Sequence, residues 1–297
     1  MSYRIVRSLA EVEAALAEDP AGLTIFAGGT DLMVRARERV AAGPVLDVAG
    51  VAELRRVGLE GEELVVGACV TYADCLTSAL IARACPLLVR VAERFASPQI
   101  RNVATLGGNV ANASPAGDGV AALWALDARV EALTPGGPVT RPIAEVVLGP
   151  GRLGLPAGGV LTAFRVPAAV PGEGAAFYKL VNRAWPEHPM AISVASVAAR
   201  LGLDGEGRVA LARVALGAVA PTPVRALAAE AALLGRPPAP EVVAEASRLA
   251  AEAARPIADV RASAAYRRDV LPALVRTAID AALAAAREPW RSGYAGG

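Results

Sequence analysis

The sequence predicts an α+β protein in two unequal parts, and three observations carry that expectation. The first fifty residues alternate as strand, helix, strand, glycine turn, helix, strand, the pattern of an α/β lobe. The final part runs strands first and helices after, which is α+β order. Between them, AAVPGEGA at residues 168–175 is the best boundary candidate, and 297 residues suits two domains. The expected divisions are 1–170, with lobes of about 1–54 and 55–170, and then 171–290.

Ser8 with Glu11 forms a capping-box pattern, and Leu9, Val12, Ala15 and Leu16 follow at helical spacing. LTIFAGGTD (23–31) is a short apolar run that ends in a double glycine, so it reads as a buried strand and a tight turn. LMVRARER suits a short helix, and PVLDVAG a second strand. Residues 55–68 suit two strands around LEGEE. Thr71 with Asp74 caps another helix, and Pro86 opens LLVRVAERFA. TLGGNVANASPAGD (105–118) is small, polar and rich in glycine, and reads as a loop. GVAALWAL is then a helix and ARVEAL a strand. Residues 134–159 read as loops around IAEVV, and VLTAFRVP as a strand. FYKLVN, ISVASVAARL and RVALARVALGAVA read as strands, the last two forming a hairpin around LDGEG. Helices are expected near 224–234, 241–254 and 263–287, before a frayed tail.

Composition narrows the function. A net charge of +1 gives no broad electrostatic case for nucleic acid or anionic lipid. No apolar run reaches the ~18 residues of a membrane span, and the N-terminus turns acidic too early for a signal peptide. A cytoplasmic protein is expected. Cys69, Cys75 and Cys85 are odd in number, lack CxxC spacing and have no histidine nearby, so they read as small buried apolar residues rather than metal ligands. Among 30 lysines and arginines Lys179 is the one lysine, and His188 is the one histidine. A lone lysine suits a site that needs a compact point charge, unless composition alone put it there.

AGGTD (27–31) and TLGGN (105–109) echo each other. Each places paired glycines before a small polar residue, after extended sequence. Paired glycines let backbone N–H groups approach an anion with no Cβ in the way. Two such loops facing each other could hold a diphosphate almost without cations; taken singly, each is an ordinary tight turn. Neither is GxGxxG or GxxxxGK[ST], and GxSxG is absent.

Together these residues resemble a known family. AGGTDLM, SPQIRNVATLGGNVANASPAGD, FYKL with an arginine after it, and IADVRASAAYRRDVLPALVRTAI are similar to the FAD-binding medium subunit of molybdenum hydroxylases, the xanthine dehydrogenase and carbon monoxide dehydrogenase family. The likeness runs from about residue 3 to about residue 285.

The resemblance implies a two-lobed, vanillate-oxidase-like (PCMH-type) FAD-binding domain, followed by a smaller α+β domain. FAD would lie between the lobes, its diphosphate between the glycine motifs. Ala27, Gly28, Gly29, Thr30, Asp31 and Leu32 would belong to the first motif; Ala104, Thr105, Gly108, Asn109 and Asn112 to the second. Asp118 would accept hydrogen bonds from FAD hydroxyls, and Leu161 would wall the flavin pocket. Phe95 is either the ring near the adenine end or a plain core phenylalanine. Lys179 either points to the flavin, where its charge would stabilise the reduced ring, or is a surface lysine on a strand edge. Relatives have Asp-x-Ala after an arginine equivalent to Arg183; here Glu187, His188 and Pro189 stand there, with Trp185 nearby. His188 either sits beside the flavin or lies exposed on a rebuilt loop. The cysteine-bearing insertion that gives some relatives an extra cluster is missing.

The function implied is that of an electron-transfer subunit. It takes electrons from iron–sulfur clusters of a small partner subunit, fed by a large molybdenum-cofactor subunit. It passes them to NAD, a quinone or another acceptor, in a dimer of heterotrimers. Two alternatives remain: a stand-alone FAD oxidoreductase with His188 or Glu187 as acid or base, and a scaffold that has lost its flavin.

Overall fold

The computed structural model describes residues 2–19, 22–36, 43–182 and 190–289. The first lobe contains β1 (Tyr3–Ile5), α1 (Leu9–Glu18), β2 (Thr24–Phe26), α2 (Leu32–Ala36) and β3 (Val45–Asp47). Its strands form a parallel sheet in the order β1-β3-β2. The Ser8 hydroxyl accepts from the Glu11 N–H, so the cap forms where the sequence places it. The Glu11 carboxylate completes it on the Arg7 N–H rather than on Ser8.

The second lobe runs through β4 (Val57–Glu60), β5 (Glu63–Gly67), α3 (Tyr72–Thr77), α4 (Ala79–Ala84), α5 (Pro86–Arg94), α6 (Pro98–Arg101), α7 (Leu106–Asn112), α8 (Asp118–Ala125), β6 (Arg129–Thr134), β7 (Gly137–Pro142), α9 (Ile143–Val146), β8 (Val147–Gly149), β9 (Arg152–Leu153) and β10 (Val160–Pro167). Its antiparallel sheet has the order β4-β5-β10-β6-β7. Thr71 and Asp74 form a complete reciprocal capping box on α3. β7 and β9 lie where loops were expected. β7 holds Pro138 and Pro142, which cannot donate to a ladder; it is tolerated as a strand because it is the sheet's edge.

The last part holds β11 (Glu173–Leu180), β12 (Ala195–Leu203), β13 (Val209–Gly217), β14 (Val224–Arg225), α10 (Leu227–Leu233), α11 (Pro240–Ala253) and α12 (Ala264–Arg287). These strands form one antiparallel sheet in sequence order. α12 lies along β11 and β12, α10 packs on β13, and α11 touches both helices. The opposite face does not meet water. It packs on α8 and α5 of the second lobe. Strand alternation sorts the side chains between the two layers. Ala176, Val197, Ala199 and Leu201 join the helices' core, while Ala175, Phe177, Ala198 and Ala215 join the core of the second lobe. Coverage on both faces explains why β12 is buried from Ala195 to Gly202 with no polar alternation.

Two arginines tie the parts together. Arg200 donates to the Pro167 and Ala168 carbonyls and pairs with Glu173 at 2.7 Å, holding the connection after β10. Arg267, from RASAAYRR, is 3% exposed; it donates to the Val194 and Ala218 carbonyls and pairs with Asp259 at 2.7 Å. That motif is an internal brace for α12. Among the described residues no helix is long and apolar enough to cross a membrane.

Candidate functional site

The lobes meet at the first glycine motif. An added Cβ on Gly28 would lie 1.9 Å from the Val103 carbonyl oxygen, so that backbone rests directly on the residue before Ala104. Gly29 has φ +70°, a conformation that suits glycine. The contact leaves a cleft of about 220 Å³ beside it, between the lobes.

The two motifs line that cleft differently. TLGGN is the start of α7 rather than a loop, with Thr105 as its N-cap. Its backbone donors from Leu106 to Asn109 are already engaged. Leu106 N–H reaches the Val70 carbonyl at 2.9 Å, and Gly107 N–H the Ala68 carbonyl at 2.8 Å. The Thr105 hydroxyl accepts from Gly108 N–H at 3.0 Å, and the Thr105 carbonyl from Asn109 N–H at 3.0 Å. The expected symmetric grip by two sets of amides is therefore corrected: among the described residues this motif offers side chains and the Thr105 N–H, since the amides from Leu106 to Asn109 are taken. In AGGTD the backbone N–H groups of Gly28, Gly29, Thr30, Asp31 and Leu32 make no hydrogen bond to the described residues. Five successive donors next to a cleft form an anion cradle, completed by the start of α2.

The two glycines of TLGGN also divide their work. A Cβ on Gly107 would strike the Ala68 carbonyl at 2.6 Å, so this glycine lets α7 pack against the chain after β5. Gly108 is exposed on the cleft side, where a Cβ would meet only the Thr105 hydroxyl.

The cleft lining includes Ala27, Gly28, Gly29, Thr30, Asp31, Leu32, Phe95, Ala104, Thr105, Gly108, Asn109, Asn112 and Leu161, thirteen of the fifteen residues that the sequence puts at the cofactor. Ile25, Val48, Ala68, Cys69, Leu153 and Val160 add apolar walls that no motif marked. Among the described residues of this lining, Asp31 is the one carboxylate and none carries a cationic side chain. Burial pushes the Cys69 thiol up to about 11, so it is no thiolate nucleophile.

Phe95 lines the cleft and also packs against the core. It stacks on Tyr72, centroids 3.7 Å apart and planes 9° from parallel. Tyr72 was missed by sequence reasoning, since it stands as an ordinary residue behind a helix cap.

Asp118 and Lys179 lie outside the cleft lining. They form a buried pair at 2.9 Å, each side chain 6% exposed, and Ser193 donates to the other Asp118 oxygen at 2.7 Å. Lys179 is thus no surface lysine. Both carboxylate oxygens of Asp118 already have partners from the C-terminal part, Lys179 on β11 and Ser193 just before β12. The pair bridges the N-terminus of α8 and β11, so it joins the two parts of the molecule. Ser193 carried no signal, because its neighbours in sequence are an unremarkable strand start. Arg183, Trp185, Glu187 and His188 lie outside the described residues.

The residues fit a dinucleotide: a low-charge cleft, a run of open amides for a diphosphate, hydroxyl and amide side chains opposite, and apolar walls. Comparison with known proteins agrees. Residues 1–169 match the FAD binding domain in molybdopterin dehydrogenase, and residues 176–282 the CO dehydrogenase flavoprotein C-terminal domain. The xanthine dehydrogenase FAD-binding subunit of Escherichia coli O157:H7 is 32% identical over 289 residues, covering 96% of this chain and 97% of that one. The carbon monoxide dehydrogenase medium chain of Hydrogenophaga pseudoflava is 30% identical over 285 residues, covering 95% and 96%. Among solved structures, carbon monoxide dehydrogenase from Hydrogenophaga pseudoflava superposes with a TM-score of 0.89 at 32% identity, over 96% of this chain and 97% of that one. Quinoline 2-oxidoreductase from Pseudomonas putida 86 gives 0.88 at 29% identity, over 97% and 98%. The scaffold reading without flavin is therefore set aside: this chain belongs to the FAD-binding, or medium, subunit family of the molybdenum hydroxylases, an oxidoreductase subunit whose cofactor is FAD.

Proposed function

We propose that this chain is the electron-transfer subunit of a molybdenum hydroxylase complex, with FAD held in the cleft between the lobes. Bound FAD supplies redox chemistry in one- and two-electron steps. The observation that carries the placement is the run of open backbone donors from Gly28 to Leu32 beside the cleft. These amides take the diphosphate, and Thr105 and Asn109 approach it from α7. The Thr105 hydroxyl keeps its proton to donate while it accepts from Gly108. Leu161 and the other apolar residues exclude water from the ring system. Asp118 and Lys179 fix α8 against β11 at the edge of the site, in a salt bridge too buried for solvent to weaken.

In this reading, which rests on the family likeness, electrons enter from iron–sulfur clusters of a small subunit, supplied by a large molybdenum-cofactor subunit, and leave to NAD, a quinone or another acceptor. The assembly is a dimer of heterotrimers, and residues 1–170 and 171–290 are its two domains here.

Co-expression with large- and small-subunit genes of this family from the same genome tests this reading. The expected result is a complex holding equal amounts of the three chains, in which the bound flavin bleaches on addition of the complex's substrate. Turnover of an organic substrate by this chain alone, without partners, would establish the stand-alone reading instead.

A further inference from the structure

Two buried polar atoms beside the cleft have no hydrogen-bond partner among the described residues: the Tyr72 hydroxyl and the Asn109 side-chain oxygen. Leaving either buried and unpaired costs stability. One can donate and the other only accept. They also share one small space. A Cβ on Gly119 would lie 2.1 Å from the Tyr72 oxygen and 3.0 Å from the Asn109 oxygen, so Gly119 keeps the gap between them open. A gap between a donor and an acceptor suits a direct hydrogen bond after a small adjustment, or one bridging water.

We propose that Tyr72 is a positioning residue for the cofactor: its hydroxyl, directly or through one water, donates to Asn109 Oδ1 and so turns the Asn109 NH₂ toward the diphosphate. The two arms of an asparagine amide differ mainly in what they can bond, so the partner of one arm fixes the role of the other. With its oxygen tied inward, Asn109 presents a donor to an anion. Flipped, it would present an acceptor and repel it. The oxygen also points at the start of α8, near Gly117 and Gly119, where helix polarity favours an acceptor. Burial raises the Tyr72 hydroxyl well above its ordinary value, so it keeps its proton. The Gly119 N–H, which faces the oxygen, pulls the other way; such a contact takes a lone pair and leaves the hydroxyl proton to donate. The stack on Phe95, which itself lines the cleft, holds the Tyr72 ring in place.

The inference rests on the placement of the diphosphate at Asn109, and a double-mutant cycle separates the two. The full-length apo chain is titrated with FAD, ADP and riboflavin by fluorescence and competition. Asn109→Ala should weaken FAD and ADP by more than tenfold and leave riboflavin unchanged; unchanged ADP binding would overturn the placement itself. Tyr72→Phe keeps the stacked ring and should weaken FAD and ADP by about five- to tenfold, the scale of one neutral hydrogen bond. In the Asn109→Ala background it should have no further effect. Asn109→Asp, with an oxygen on both arms, should bind ADP more weakly than Asn109→Ala. If Tyr72→Phe binds ADP like the wild type, or loses the same factor in both backgrounds, the positioning role is wrong even where the placement holds.

Discussion

Gly28→Ala adds one methyl group at the point where the lobes touch. Its Cβ would sit 1.9 Å from the Val103 carbonyl oxygen and 2.7 Å from the Val103 carbonyl carbon. Both sides of this contact are backbone, so no side chain can swing clear. The two segments must part by about 1 Å or more before the contact becomes tolerable. Overpacking of this kind costs about 1–3 kcal/mol in stability. The larger effect falls on the cofactor, because the shift moves the amides that follow Gly28. Each amide bonded to a charged diphosphate contributes about 1.5–3 kcal/mol. Losing one lowers FAD affinity about tenfold or more, and losing two about a hundredfold or more. The assay is FAD titration of the stripped chain by flavin fluorescence, with thermal unfolding of the apo chain alongside. Gly58→Ala, where an added Cβ meets nothing within 4 Å, is the control and should match the wild type in both. Wild-type FAD affinity in Gly28→Ala would refute the cradle. A lower melting point with unchanged affinity would show that the contact is structural and that the diphosphate lies elsewhere.

Lys179→Met leaves Asp118 buried with Ser193 alone, and breaking a buried pair from one side costs about 3–5 kcal/mol; denaturant unfolding should show this loss, with partial recovery in Lys179→Met combined with Asp118→Asn. A midpoint equal to the wild type would mean the pair does not couple the two parts. Asp259 titrates at about 2: desolvation pushes it up, but hydrogen bonds from Arg261, Arg267 and Ala262 outweigh it. Its stabilising contribution is therefore complete above the ordinary carboxylate value of about 3.9 and is lost as pH falls through about 2. Asp259→Asn should be less stable than the wild type at pH 7, with the gap closing between about pH 4 and pH 2; a constant gap would rule this out. Burial holds the thiols of Cys69, Cys75 and Cys85 at about 11, 12 and 11. Iodoacetamide at pH 8 should therefore leave the native apo chain unlabelled and modify all three in denaturant, and rapid labelling of Cys69 would show that the cleft opens further than its walls indicate.

The sequence made the cleft legible because glycine pairs carry information in both directions. Gly28 and Gly29 are needed for close approach and for a positive φ, and Gly107 for packing, so each stands where no other residue would serve. The difference between the two motifs was not legible. TLGGN looks like a loop because glycine and asparagine are poor helix formers. It becomes helical because Thr105 caps it and because Val70 and Ala68 take its first donors, and those partners lie 36 and 39 residues upstream. β7 was hidden for a similar reason. Two prolines argue against a strand until the sheet order shows that it is an edge. Local sequence states which residues are permissive; which partners then use them depends on pairing across the fold.

The family resemblance assigns Asp118 and Lys179 to the cofactor, and the fold adds what that resemblance did not carry. Their surroundings are an interface: α8, buried along its whole length, lies between its own lobe and β12 and β13. Alternate residues of β11, β12 and β13 enter the second lobe's core, so the two parts share one hydrophobic interior. A helix so placed cannot move without breaking that interior. Its N-terminus begins at Asp118, next to Gly119, where Tyr72 and Asn109 meet. The salt bridge across the interface and the amide at the cleft are therefore held by the same helix end. A change at either should be felt at the other through the position of α8.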